Sequence, residues 1–580
     1  MRLQSPGQIA RAVLGVPNLW DVVVFPLVLA TLFAVAWGTH QMVGPYQLGE
    51  VIPISLDPGH LPEYALRTTL RMAAAMALSL IFTFVYASIA AKYRRAEMVM
   101  IPVLDILQSV PILGFLSLTV MGFIRLFPGS MLGPEAAAIF AIFTSQAWNM
   151  TFSFYHSLRM IPNDLRFAAD SFQLSAWQRF WKLEVPYGLP NLVWNTMMSM
   201  SGGWFFVVAS EAISVSNQTI LLPGIGSYIS VAISHKDLTA IGYAILTMLV
   251  VILLYDQLLF RPLVAWSEKF KFEMSGAQEV PKSLVLDLVQ RSRWLPRLLL
   301  ALPAKFWEFS LHVFRHLPAV PLSSLAYGVR RQERWINRML LLGLAVGAVV
   351  ASLALARFVL GNVSLDEVGW VLVLGLITGL RVFVLIALAT LVWVPVGVWI
   401  GTRPALAARV QPVVLFLSAF PANLLFPLAV VVIARHHLNV EIWLSPLMIL
   451  GTQWYILFNV IAGAAAIPND LKEAASNLGL AKWQLWKRLT LPAIFPAYIT
   501  GGLTASGGAW NASVVTEVVN WGTTTLTATG IGAYIAEQTT AGDHPRIALG
   551  IAVMSLYVVI LNRVLWTRLY RFAQERMALE

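Results

Sequence analysis

Two residue pairs sit where charge is costly and could therefore do chemistry. Thr68 and Arg71 lie in one long apolar stretch, and Thr378 and Arg381 occupy matching places in another. A guanidinium inside an apolar segment is expensive and normally faces a bundle interior or a wet cavity. Each Thr lies about one helical turn before its Arg on a similar face. Two such pairs could attract an anion by charge and orient it by hydrogen bonds, forming part of a substrate pathway. The alternative is structural: each Arg pairs with a carboxylate, Glu211 or Glu517, or extends to the outer interface.

Other chemistry is sparse. No G-x-x-x-x-G-K-[ST] phosphate cradle occurs. The nine His show neither H-E-x-x-H nor another metal spacing, and Cys is absent, which excludes disulfides, thiol catalysis and thiolate metal sites. GIGSYI at 224–229 and GIGAYI at 530–535 lack the βαβ context of a dinucleotide fingerprint. A tight loop before a span explains them as well as any special role does. The expectation is a chain with no catalytic residue, no metal and no cofactor of its own.

The elements that must position these residues are membrane spans. The 580 residues are 58% hydrophobic and 12% charged, with mean hydropathy +0.72, too few charges to cover a soluble protein of this size. Apolar runs of about 20 residues match the ~30 Å hydrocarbon core. They lie near 21–43, 66–91, 99–125, 135–158, 189–212 and 239–262, then near 339–360, 366–400, 411–434, 442–464, 496–519 and 546–568. The 366–400 run is long enough to include a re-entrant piece. Arg2, Arg11 and Ala34-Val35-Ala36 give the first run some features of a cleavable signal, but its length argues for a retained span. The expected fold is all-α and polytopic, with about twelve spans. Three regions are expected: a repeat over 1–262, a basic amphipathic linker over 263–338, and a second repeat over 339–580. Linker residues Arg291, Arg293, Arg297 and Arg315 alternate with apolar residues, as in a tether with a stretch lying on the membrane surface.

The net charge of +11 is explained by loop placement rather than by nucleic acid. Lys92, Arg94 and Arg95, then Arg159, Arg166, Arg179 and Lys182, then the run from Arg261 to Lys271, fall after even-numbered spans. The loops at 44–63, 126–134 and 213–237 are poor in Lys and Arg. Both termini are expected to be cytoplasmic.

The halves are copies of each other. IPNDLRFAAD at 161–170 and IPNDLKEAAS at 467–476 agree at seven of ten positions at a shift of 306. That shift pairs Trp148 with Trp454, Trp204 with Trp510 and Glu211 with Glu517. Upstream the shift is 310, pairing Thr68 with Thr378, Arg71 with Arg381 and Pro111 with Pro421, so a length difference of four residues falls near 126–134. With an even number of spans per half, the copies share one topology about an axis along the membrane normal, and a pathway runs between them.

The repeated loop between spans four and five is too long and specific for a connector. In the second half Asp470-x-x-Glu473 suggests a capping box, Gly479 a turn that a side chain would obstruct, and Leu491-Pro492 a stop. A short helix, a turn and a second short helix would form a cytoplasmic knob. EAASNLGLAKWQLWKRLTLP at 473–492 resembles the signature loop of ABC importer permeases, the binding-protein-dependent inner-membrane components. The copy at 167–186, FAADSFQLSAWQRFWKLEVP, is degenerate, with Phe167 for the Glu and Gln173 for the Gly.

That resemblance, which covers both halves, implies a duplicated permease of the type I importer fold in the bacterial inner membrane. It implies that the loops are coupling helices seated in two cytoplasmic ABC ATPase subunits. Those subunits would bind ATP and Mg, and a solute-binding protein would work outside. By resemblance Glu473, Ala474, Ala475 and Gly479 carry coupling, with Ala168, Ala169 and Gln173 in the first copy. The GIG-x-Tyr-Ile and Thr-x-x-Arg motifs look like those of nitrate, sulfonate, taurine and bicarbonate permeases, implying a small anion as substrate. The competing reading is a twelve-span secondary transporter working without an ATPase.

Overall fold

The structure is a computed structural model, and it describes residues 18–270, 291 and 330–576 apart from 48, 51, 216–217 and 481–482. Most of the expected linker, and so its surface-lying stretch, lies outside the described residues.

The first half begins with α1 (Leu19–Met42), a peripheral helix opened by a capping box between Asn18 and Asp21. Next come α2 (Leu61–Lys92), α3 (Arg94–Gln108), α4 (Ile112–Leu126) and α5 (Leu132–Arg159). The knob follows as α6 (Asn163–Ser171) and α7 (Ala176–Arg179). It leads through a π turn at Phe180–Glu184 into α8 (Val185–Glu211). A hairpin of β1 (Ala212–Val215) and β2 (Gln218–Leu221) then turns the chain into α9 (Ile225–Ser234), α10 (Leu238–Tyr255) and, after a second π turn, α11 (Arg261–Ser267).

The second half repeats the order. It runs α12 (Arg330–Leu360), α13 (Leu365–Gly401), α14 (Pro404–Ala419), α15 (Phe426–Arg435), α16 (Val440–Trp443), α17 (Leu447–Leu450) and α18 (Gln453–Ala465). Then come α19 (Asn469–Asn477), α20 (Trp483–Leu485), α21 (Leu491–Thr516), β3 (Val518–Trp521), β4 (Thr524–Thr527), α22 (Ile531–Ala541), α23 (His544–Leu561) and α24 (Thr567–Arg576). The π turns recur at Trp486–Thr490 and Asn562–Trp566, each 306 residues after its counterpart.

Several sequence expectations change. The 99–125 run is two helices, α3 and α4, bent by 92° at Ser109–Pro111, and the 411–434 run bends by 74° near Pro421. Proline has no N–H and disfavours helix in the residue before it, so the ladder breaks there. The 366–400 run is one unbroken helix with no re-entrant piece, and Pro395 is absorbed within it. The 442–464 run, bent by 45°, breaks around Pro446 and Gly451, whereas its counterpart α5 is continuous. Pro186 and Pro492 do not stop the chain: the π turn delivers them to the first turn of the next helix, where a missing N–H costs least. The two short hairpins have no counterpart among the sequence expectations. Among the described residues, six helices are long and apolar enough to cross a membrane, and the three bent pairs bring the number to nine. The runs at 135–158, 189–212 and 496–519 are also helical but more polar.

Each half has its own core, one around Met72, Trp204 and Tyr228 and the other around Val382, Trp510 and Ile535. Smaller clusters join the halves. Trp194 packs on Phe458 with ring centroids 5.0 Å apart, and Phe205 meets Phe426 at 6.5 Å. Polar contacts cross the same seam: the Ile112 N–H donates to Asn511 Oδ1 at 2.8 Å, and Asn423 Nδ2 donates to the Phe205 carbonyl at 3.2 Å.

Candidate functional site

Arg71 is fully buried and is held by two carboxylates. Its Nε and Nη2 donate to Glu135 at 2.6 and 2.7 Å, a bidentate pair, and its Nη1 donates to Glu211 Oε1 at 2.7 Å. Nη2 also reaches the Pro223 carbonyl at 3.0 Å. Thr68 donates to Glu211 Oε1 at 2.6 Å and accepts the Ile225 N–H at 3.0 Å. The second half repeats this. Arg381 Nη1 donates to Glu517 Oε1 at 3.0 Å and Nη2 pairs with Glu441, while Thr378 donates to Glu517 at 2.7 Å and accepts the Ile531 N–H at 3.0 Å. The two guanidiniums thus lie inside their own halves, each bound to carboxylates of its own half. Each arginine is paired with a carboxylate rather than left free in a cavity. A charge neutralised in this way has little left with which to draw in an anion.

Glu135 and Glu441 were missed by the sequence reading, although they were findable. They fall into register at the shift of 306 that pairs Glu211 with Glu517. The triads differ in wetness. The Arg71, Glu135 and Glu211 side chains are all fully buried, whereas the Arg381 side chain is 13% exposed and that of Glu441 46%. Glu441 also accepts from the Thr529 N–H and hydroxyl, at 2.9 and 2.7 Å.

The hairpins and the GIG segments exist to close these triads. Each hairpin returns the chain onto the carboxylate that precedes it: the Leu222 N–H donates to the Glu211 carbonyl and the Ala528 N–H to the Glu517 carbonyl, both at 2.8 Å. The Gly226 N–H then donates to Glu211 Oε2 at 2.6 Å, and the Ala533 N–H to Glu517 Oε2 at 3.0 Å. A Cβ on Gly224 would lie 2.4 Å from the Glu211 carboxylate, and one on Gly530 2.2 Å from that of Glu517. These backbones are extended, so glycine is needed for close approach and not for its torsion angles.

The knobs lie at the other end of the long helices. In each, one small residue, Ala169 or Ala475, is buried. Ala168, Gln173, Glu473, Ala474 and Gly479 are exposed. Asp470 and Glu473 form no capping box; the helix starts earlier, at Asn469, with Pro468 at the cap, and Asp470 lies in the first turn, where it favours the helix dipole. Gly479 has φ +65°, and nothing lies within 4 Å of a Cβ placed on it, so the torsion angle and not a clash is what a side chain would disturb. Gln173 adopts the same left-handed conformation, with φ 48°. A cavity of about 40 Å³ lies at the seam between the halves, lined by Met197, Ser201, Trp204, Tyr255, Phe416 and Ser418 among others.

Two copies of one helical unit, each with a carboxylate-held arginine at one end and a knob at the other, define a duplicated membrane permease. The chain belongs to the family of binding-protein-dependent transport system inner membrane components, whose family model matches residues 83–260 and 393–578. It is similar to the bicarbonate transport system permease protein of Synechocystis, 25% identical over 177 residues, which cover 30% of this chain and 60% of that protein. It is also similar to the nitrate import permease protein of Leptolyngbya laminosa, 25% identical over 31% of this chain and 62% of that protein. A third relative is the osmoprotectant import permease protein OsmY of Salmonella typhimurium, 28% identical over 32% of this chain and 74% of that protein. The chain thus spans less than two thirds of the length of the bicarbonate and nitrate relatives.

Proposed function

We propose that this chain is the complete membrane part of an ATP-driven importer, with twelve spans, six in each half, and a substrate pathway along the seam between them. Both termini and both knobs face the cytoplasm, and each knob seats on an ABC ATPase subunit that binds ATP and Mg. A solute-binding protein delivers substrate at the triad end. The observation that carries this reading is the pair of knobs, built at the same register on both halves, each joined through a π turn to a helix whose far end carries the triad glutamate. A push on a knob is thereby linked along α8 or α21 to the other face. Residues 1–262 and 339–580 act as the two permease units, with 263–338 as the tether.

The bicarbonate and nitrate relatives favour a small anion as substrate, and the osmoprotectant relative favours an osmoprotectant as the second reading. Arg71 and Arg381 are assigned to architecture and not to anion capture, because their carboxylate partners already neutralise them. The test is purification in mild detergent followed by reconstitution. Co-purifying ATPase subunits and ATP-dependent uptake of nitrate or bicarbonate support the proposal. Uptake by the purified chain alone in vesicles would establish the secondary transporter instead.

A further inference from the structure

At the triad end of the seam the halves exchange hairpins. β1 packs on α22 of the second half, and β3 packs on α9 of the first. Each hairpin starts at the residue after its triad glutamate, Glu211 or Glu517. A lone hairpin of two four-residue strands is marginal at best, so each depends on what it is laid against. The second hairpin makes a clasp. Trp521, the last residue of β3, packs against the first-half core and against a second-half cluster around Phe426 and Val430. The Gly522 N–H donates to the Ile233 carbonyl of α9 at 2.9 Å. Lys236 lies over Gly522: a Cβ there would collide with Lys236 Cε and stand 2.8 Å from its Cγ. Lys236 itself has φ +57°, a left-handed conformation uncommon for a residue with a side chain. The equivalent end of α22 is closed by Gly542 at φ +74°, the residue type usual there. The cap alone would be served better by glycine, so the lysine is kept for its arm over Gly522. Among the described residues the clasp is one-sided, since the counterpart of Trp521 is Val215 and that of Lys236 is Gly542.

We infer that this clasp is the outer gate of the pathway: at rest Trp521, Gly522 and Lys236 hold the outer end of the seam shut, and the second hairpin leaves α9 when the ATPases act. This rests on the reading of the seam as the pathway of an importer. The lever is short. β3 begins one residue after Glu517, at the far end of α21 from the second knob, so a displacement along α21 reaches the hairpin through the triad. Opening breaks the Gly522–Ile233 hydrogen bond and uncovers Trp521, while the ladder within the hairpin stays whole. A contact of that kind can be made and broken in every cycle, because a ligand need only bias two states that differ modestly in free energy.

The test uses the full complex with its co-purifying ATPase subunits, reconstituted in vesicles. The chain has no Cys of its own, so Lys236→Cys combined with Gly522→Cys offers this chain one disulfide. Its formation should be fast without nucleotide and at least about fivefold slower during hydrolysis of ATP with Mg. The oxidised pair should lose ATP-dependent nitrate uptake and regain it on reduction, the reduced pair being the control for a side chain at φ +58°. Lys236→Gly keeps the left-handed cap and removes the arm. It should not lower the thermal midpoint, and it should raise ATP hydrolysis in the absence of substrate by at least about fivefold, because gate and ATPases bias one equilibrium. A lysine that only closes α9 would leave that hydrolysis unchanged. A cross-linking rate that ATP does not alter, full uptake by the oxidised pair, or unchanged substrate-free hydrolysis in Lys236→Gly overturns the gate. Absence of ATP-dependent uptake of both nitrate and bicarbonate by the unmodified complex would instead refute the underlying reading of the seam as an anion importer's pathway.

Discussion

At the scale of single residues, the two arginines are equivalent in sequence and unequal in setting. Arg71→Gln leaves two fully buried carboxylates without their counter-charge, and breaking a buried pair in this way costs about 3–5 kcal/mol. Arg381→Gln frees Glu441 into a half-exposed position, where an ion pair contributes only about 0–1 kcal/mol, and leaves Glu517 with its hydrogen bonds from Thr378 and the Ala533 N–H. Unfolding in detergent should show Arg71→Gln to be the more damaging by a wide margin; equal losses would mean that the wetter triad is no weaker. The glycines separate in the same manner. Gly224→Ala forces a methyl group against the Glu211 carboxylate and should cost about 1–3 kcal/mol, as overpacking does. At Gly479 a Cβ meets no atom, and Asn tolerates the left-handed region, so the stability cost of Gly479→Asn should stay well below that of Gly224→Ala. Thermal midpoints of the two variants check this. The type and register of these residues were legible in the sequence. Which partner neutralised which charge was not, because that depends on how the hairpin folds back.

At the scale of elements, hydropathy located the long helices well, since a run of about 20 apolar residues has few alternatives to a buried or spanning helix. It could not see the bends at Pro111 and Pro421, because both arms of a broken helix are equally apolar. It missed the hairpins because strands of four residues do not build a hydropathy window. The bends matter because each carries the start of a new helix to the seam. The Ile112 N–H belongs to a helix start with no carbonyl one turn back, and Asn511 of the other half accepts it. Asn511→Leu should leave that donor unmet at a cost of about 1–3 kcal/mol. Hydrogen exchange over residues 109–115 should then speed up, with little change at α10, which packs on α2 and α9 in the first half. Unchanged exchange over 109–115 would show that another group takes up the donor.

At the scale of the whole molecule, the duplication was the strongest signal in the sequence, and it determines how many chains a complex needs. A permease assembled from separate copies must form its seam twice over with identical residues. Here the seam is made of unlike partners: Ile112 with Asn511, whose counterparts by register are Ala422 and Phe205, and Trp194 with Phe458, whose counterparts are Thr500 and Phe152. Contacts that have diverged in this way fit a first half to a second half and fit neither half to itself, as expected where two surfaces are always presented together. One chain already supplies two knobs, one on each side of that seam. The expected assembly is therefore one copy of this chain with two ATPase subunits. Native mass measurement of the purified complex checks this directly. A functional unit containing two copies of this chain would overturn that one-copy assembly, since a single chain would then not suffice for the two halves and two knobs that the duplication supplies.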